Sequence, residues 1–114
     1  MRVGLREASG SPGYVITDLR GEKVGSIDYS VNDGGWLDVR WIELASEYRR
    51  RGLGAEAVQL LEEEAARRWR VRAVRAEVPL GIGLALYFWL RLGYRPEEEA
   101  DGGRDAMAMV RQLG

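Results

Sequence analysis

The sequence predicts an α+β fold in which helices pack on a mixed, mostly antiparallel central sheet. Hydrophobic and polar residues alternate in the first third of the chain, and over residues 54–69 the hydrophobic pattern takes the period of a helix. A β-branched segment at residues 71–78 follows at once. Because a strand–helix–strand unit places its two strands in parallel, we expect one parallel pair in a sheet that is otherwise antiparallel.

Four strands are expected before the first helix. Turn clusters rich in glycine, proline and short polar residues separate them at residues 9–13, 20–23 and 32–35. The strands are predicted around residues 3–5, 14–17, 24–29 and 36–44. Connections this short are typical of antiparallel strands.

Helices and strands alternate in the second half of the chain. The helix at residues 54–69 has an apolar stripe opposite a charged one, which is typical of a helix lying on a sheet. A second helix, residues 84–92, is followed by Gly93, a residue favoured as a left-handed C-cap. This helix is almost wholly apolar, so we expect it to be buried on two sides or covered by another subunit. Two last strands are predicted at residues 94–98 and 106–113, around a turn at residues 101–103.

Composition excludes several kinds of chemistry. The 114 residues suffice for one hydrophobic core, so we expect a single domain over residues 1–114. The chain has no cysteine and no histidine, which excludes thiol nucleophiles, disulfides and an imidazole base, and we expect no metal site. Any general base must therefore be a carboxylate, a bound water or the substrate itself.

Charge and hydropathy narrow the set of partners. The 17 basic and 18 acidic residues nearly balance, which disfavours a general nucleic-acid binder. No uncharged apolar stretch reaches the length of about 18 residues that a transmembrane helix needs. We therefore expect a cytoplasmic protein without a membrane or nucleic-acid partner.

The segment that joins the fourth strand to the first helix is the strongest candidate for a binding site. Two glycines, Gly52 and Gly54, let the backbone approach a ligand, and the first-turn amides of the helix have no intrahelical partner. With the helix dipole and the neighbouring arginines, this loop suits a phosphate or pyrophosphate. The alternative is a simple helix entry whose basic residues lie in solvent. The segment matches neither the dinucleotide-binding fingerprint nor the P-loop pattern.

Two segments resemble the GNAT superfamily of N-acetyltransferases. The family signature [Gln/Arg]-x-x-Gly-x-[Gly/Ala] is matched by Arg49, Gly52 and Gly54. Residues 85–94 look like the second family segment, an aliphatic-Leu-Tyr helix that ends in Leu-Gly-[Phe/Tyr]. The resemblance is close over residues 36–96. It implies a GNAT-like acyl-CoA acyltransferase fold and the transfer of an acetyl group from acetyl-CoA to a primary amine, by direct attack in a ternary complex.

The resemblance also implies where acetyl-CoA binds. The cofactor would lie where the fourth and fifth strands separate, with its pyrophosphate on the loop amides and its pantetheine arm along the strand edge. The backbone amide near Leu44 would stabilise the oxyanion that develops on the thioester carbonyl. The implied cofactor-binding residues are Ile42, Glu43, Leu44, Arg49, Arg50, Arg51, Gly52, Leu53, Gly54 and Ala55.

Three residues are candidates for proton transfer. Tyr87 occupies the place of the family tyrosine that protonates the departing CoA thiolate, and it is otherwise one more aromatic residue on an apolar helix. An amine acceptor is an ammonium ion at neutral pH and must lose a proton before it attacks. Glu43 and Glu77 are the candidate bases, and a water-mediated or substrate-assisted route is the alternative.

The chain departs from the family pattern in two places. Leu80 stands where the family often has an asparagine that contacts the cofactor. Only residues 9–13 stand where most members have one or two helices that wall the acceptor site. The shortened segment implies an open cleft, a homodimer whose second subunit is the wall, or a bulky acceptor such as a protein N-terminus or lysine. A non-catalytic CoA-binding or protein-interaction domain of the same fold is the alternative function.

Overall fold

The computed structural model describes residues 2–10, 12–49, 51–79, 81, 83–97 and 106–113. Two α-helices and seven strands occur in these ranges, and a short 3₁₀ turn, Ser46–Tyr48, precedes the first helix. The helices are α1 (Leu53–Trp69) and α2 (Gly83–Arg91). The strands are β1 (Gly4–Glu7), β2 (Gly13–Thr17), β3 (Lys23–Asn32), β4 (Trp36–Leu44), β5 (Ala73–Pro79), β6 (Arg95–Pro96) and β7 (Ala106–Gln112).

The strands form one sheet in the order β1-β2-β3-β4-β5-β7-β6. Every pair is antiparallel except β4 with β5, which is parallel and connected through α1. The predicted mixed, mostly antiparallel sheet is thus confirmed, and the bounds of α1 and β4 agree with the predicted ones to within one residue. The predicted turn at residues 101–103 lies outside the described residues.

One face of the sheet carries both helices. In β3, Ile27 and Tyr29 point to this face, where the ring of Tyr29 lies 5.3 Å from that of Trp69 at the end of α1. Because the crossovers through α1 and α2 run in the same direction along the sheet, the usual right-handed connection places both helices on this side. The buried residues of the sheet and the helices form one hydrophobic cluster between these two layers.

The opposite face is covered by neither helix. Ser26, Asp28 and Ser30 alternate with the buried residues of β3 and point to this side, where they are only half-buried. At the centre of the face, Arg75 Nε donates to Asp38 Oδ1 at 2.8 Å. Polar side chains of this kind can be hydrated, so this face does not have to be covered by another layer of the fold.

Among the described residues, no helix is long and apolar enough to cross a membrane.

A β-bulge changes the side-chain pattern in the middle of β4. Between Val39 and Trp41 the register with β3 shifts, and Arg40 is the extra residue. The shift keeps Ile42 on the helix side with Val39, where it packs against the core. As a result Trp41 and Glu43 lie on the uncovered face, and both are exposed.

Helix α2 differs from the sequence expectation. Trp89 is 4% exposed and its ring lies 4.8 Å from that of Tyr94 in the core. In contrast, Leu84 is 66% exposed, Tyr87 58% and Leu90 36%. Of the two expected alternatives, burial on two sides is therefore wrong within the described chain, because α2 packs on the sheet by one side only. Cover by another subunit stays a prediction.

Candidate active site

An opening lies between the two central strands. β4 and β5 pair only from Trp36 opposite Ala73 to Val39 opposite Ala76. Beyond this point β4 continues along β3, while β5 continues along β7 as far as Pro79. The two strands therefore separate, and the edge of β4 that faces β5 has no strand partner there among the described residues.

Backbone groups of β4 point into this opening. The N–H of Ala45 donates to the carbonyl oxygen of Val24 at 2.9 Å, which makes the neighbouring pair of Gly25 and Leu44 a non-hydrogen-bonded one. The N–H and C=O of Leu44 consequently point away from β3, and by the alternation of the ladder so do those of Ile42. The N–H of Leu44 and both backbone groups of Ile42 are available to an extended ligand that lies along β4, whereas the Leu44 carbonyl oxygen accepts from Arg49.

The loop that follows β4 is tied to the end of that strand. Arg49 Nε donates to the carbonyl oxygen of Leu44 at 2.9 Å, and the Arg49 N–H donates to the carbonyl oxygen of Ser46 at 3.3 Å. The first residue of the signature thus closes the loop through its side chain. Arg51 is exposed next to the loop, and Arg50 lies outside the described residues, as does Leu80.

The start of α1 has the geometry of an anion site. Gly52 is the N-cap with φ +78° and ψ 4°, a left-handed conformation that favours glycine. The amides of Leu53, Gly54 and Ala55 donate to no acceptor in the described part of the chain, and the first intrahelical bond runs from Glu56 N–H to the Gly52 carbonyl oxygen at 3.2 Å. Three free donors at the positive end of a helix dipole attract a phosphate group.

Gly54 has a second role that the sequence did not reveal. A Cβ at this position would lie 3.1 Å from Phe88 Cε1 and 3.6 Å from Leu44 Cδ1. The glycine therefore allows α2 to pack on the first turn of α1. Sequence reasoning assigned Gly54 only to ligand approach, because contacts between residues 34 positions apart leave no local pattern.

The family model of the acetyltransferase (GNAT) family matches residues 3–94. The chain belongs to this family. GNAT enzymes use acetyl-CoA as the co-substrate, which agrees with a loop that suits a pyrophosphate. No curated protein sequence is significantly similar to the chain.

Solved structures show the same GNAT fold. An acetyltransferase from Thermus thermophilus is 27% identical, with a TM-score of 0.74 over 89% of this chain and 63% of that one. A GNAT-family acetyltransferase from Staphylococcus aureus is 15% identical, with a TM-score of 0.75 over 90% and 67%. Ard1 from Thermoplasma volcanium is 21% identical, with a TM-score of 0.73 over 89% and 70%. The chain thus spans about two thirds of the length of these three proteins.

The two candidate bases of this GNAT chain flank the opening. Glu43 is exposed on β4 opposite Ser26, and Glu77 is exposed on β5 opposite Ala108. Both side chains lie on the sheet face that carries no helix. Trp41, 55% exposed, lies on the same face two residues before Glu43. An acceptor entering from this side would meet carboxylates on both strands.

Tyr87 lies on the exposed side of α2. The guanidinium carbon of Arg91 lies 5.6 Å from the centroid of the Tyr87 ring. The next residue, Phe88, contacts Gly54, so α2 places Tyr87 one residue from the contact with the first turn of α1. The phenol is free to reach a ligand, since the side chain is not enclosed by the core.

Arg2 and Glu56 form a contact beside the loop that sequence reasoning missed. The Arg2 backbone N–H donates to Glu56 Oε1 at 2.7 Å, and Arg2 Nε donates to Glu56 Oε2 at 2.6 Å. Hydrogen bonds from the Arg2 backbone and then its side chain hold the pKa of Glu56 below its usual range. Arg2 Nη2 also lies 3.1 Å from the place that a Cβ on Gly52 would occupy. Because Arg2 and Glu56 are 54 positions apart, no local sequence pattern predicts their contact.

Proposed function

We propose that residues 1–114 form a single domain that transfers an acetyl group from acetyl-CoA to a primary amine by direct attack in a ternary complex. The observation that carries the proposal is a set of three amides, at Leu53, Gly54 and Ala55, that donate to no acceptor among the described residues and lie at the end of the opening between β4 and β5. The loop and the opening together match the two parts of the cofactor, a charged pyrophosphate and an extended amide-containing arm.

The cofactor-binding residues act in two groups. The amides of residues 51–55 hold the pyrophosphate, and Arg49 and Arg51 add positive charge around it. Ile42 offers a backbone donor and acceptor to the pantetheine arm, Leu44 offers its N–H, and Glu43 lies between them. The Leu44 N–H donates to the thioester carbonyl and stabilises the negative charge that develops on its oxygen.

The acetyl transfer needs a base that deprotonates the amine and an acid that protonates the departing thiolate. A carboxylate, Glu43 or Glu77, removes a proton from the ammonium group directly or through water, or the substrate supplies this base itself. The amine nitrogen then forms a bond to the carbonyl carbon and gives a tetrahedral intermediate. As the intermediate collapses, the carbon–sulfur bond breaks and the nitrogen loses its second proton to water. Tyr87 donates its phenolic proton to the departing thiolate and regains a proton from water.

The acceptor reaches this site from the uncovered sheet face. Between β1 and β2 the described residues include no helix, so no such element encloses the opening from that side. A bulky acceptor, such as an amine on a protein, is compatible with this access. The same short connection supports a second candidate function, a CoA-binding domain that does not catalyse transfer.

The cofactor site is tested by placing a negative charge among the free amides. Helix α1 should tolerate Ala55→Glu, because the helix dipole favours a carboxylate in the first turn. The new negative charge, however, repels the pyrophosphate. We expect the dissociation constant for acetyl-CoA, measured by isothermal titration, to rise by about 100-fold, the equivalent of roughly 3 kcal/mol.

Ala66→Glu is the matched control. The same substitution is made on an exposed position of the same helix, about three turns from the loop. Its affinity should stay within about twofold of wild type. Equal affinities of the two variants would contradict a pyrophosphate at the start of α1, provided that circular dichroism shows both to be folded.

A further inference from the structure

We propose that Arg2 is a positioning residue of the cofactor site that compensates the charge of Glu56 and so allows a pyrophosphate to bind beside it. The inference rests on the proposed function, because it concerns affinity for CoA. It adds a residue from outside the signature loop, which contacts Glu56 in the first turn of α1.

Glu56 is badly placed for a site that binds an anion. It is the first residue after the three free amides, and it is the acidic residue in the first turn of α1. The helix dipole attracts this carboxylate as it attracts a phosphate, so the two negative groups compete for the same positive end. An uncompensated Glu56 would therefore weaken the binding of CoA.

Arg2 removes this conflict. Its backbone N–H donates to Glu56 Oε1, and its Nε donates to Glu56 Oε2. Arg2 Nη2 also forms an ion pair with Glu56 Oε2. The side chain of Glu56 is 17% exposed and that of Arg2 is 57% exposed, so the carboxylate is held while the cation stays open to the loop side. The guanidinium also approaches Gly52, the N-cap of the anion loop.

A purely structural contact would behave differently. If the pair only attaches the segment before β1 to α1, removal of either partner should lower stability and affinity in the same direction. If Arg2 compensates charge, the two removals have opposite effects on the phosphate. Loss of Arg2 leaves a free negative charge, and loss of the Glu56 charge leaves a free positive one.

The test is a double-mutant cycle with Arg2→Ala, Glu56→Gln and the combined variant, using CoA in isothermal titration. We expect Arg2→Ala to raise the dissociation constant about tenfold, as one unscreened charge within a few ångströms of the pyrophosphate predicts. Glu56→Gln should lower the constant severalfold. The combined variant should return to within about threefold of wild type, because its net charge is restored.

The outcomes separate this inference from the proposed function. Equal weakening by both single variants, or a combined variant as weak as Arg2→Ala, overturns the inference while CoA binding itself stands. A folded wild-type protein that does not bind CoA overturns both. Arg2→Gln is measured in parallel, since it keeps the side chain as far as Cδ and a polar end but removes the charge, and it should weaken binding as Arg2→Ala does.

Discussion

Tyr87→Phe is expected to lower the turnover number by about 100- to 10,000-fold, the range that a positioned general acid contributes. The substitution removes the phenolic proton that the thiolate needs as it leaves. Because Tyr87 is 58% exposed and its ring is not enclosed by the core, the fold should be unaffected. Release of the CoA thiol in the presence of a panel of amines measures the turnover, and isothermal titration measures the affinity for acetyl-CoA.

Tyr14→Phe is the matched control for this experiment. Tyr14 lies in β2 with its ring 5.2 Å from that of Tyr29, next to the end of α1 that is remote from the loop. Its loss should leave turnover within about twofold of wild type, as expected of a residue outside the site. If Tyr87→Phe keeps full turnover, the phenol is not the acid. If wild type binds CoA and no amine is acetylated, the domain is a CoA binder.

Glu62→Ala is expected to lower the free energy of unfolding by about 2–4 kcal/mol, because it creates a cavity and leaves a buried hydroxyl without an acceptor. Glu62 is 7% exposed, and its Oε2 accepts from the Tyr94 hydroxyl at 2.7 Å. Its Oε1 accepts from Arg111 Nη1 at 2.7 Å. Burial raises the pKa of Tyr94, so this phenol stays protonated and needs an acceptor.

Two further substitutions make the measurement specific. Glu63→Ala removes an exposed carboxylate from the next position and should change stability by less than about 0.5 kcal/mol. Glu62→Gln keeps an acceptor for Tyr94 and should cost less than Glu62→Ala. Urea unfolding followed by circular dichroism gives the three values. Equal stability of Glu62→Ala and Glu63→Ala would contradict a structural role for the buried contact.

Local patterns were sufficient to predict most of the fold. The alternation in β3 and the helical period of α1 both follow from which residues are buried, and the signature from Arg49 to Gly54 led to the family. The β-bulge at Arg40 was not predicted, because a single extra residue is defined only by its partner strand. It nevertheless decides that Glu43 lies on the uncovered face.

Long-range contacts account for what sequence reasoning missed. From the amphipathic pattern of α1, the glutamates are expected to lie in solvent. Glu62 is instead buried, in contact with Tyr94 and Arg111. The same limit hid the contact between Arg2 and Glu56. The roles of Tyr87, Glu43 and Glu77, the homodimer and the cytoplasmic location stay predictions.

The position of the cofactor is measured most directly by a titration of CoA into ¹⁵N-labelled protein, followed by amide NMR shifts. The proposal predicts that the largest shifts occur at the amides of Leu53, Gly54 and Ala55 and, along the strand edge, at Ile42 and Leu44. A cavity of about 550 Å³ between β1, β2 and α1, lined partly by Leu5, Tyr14 and Leu60, is the competing location. Shifts concentrated there, or no shifts in a folded protein, would contradict the proposed site.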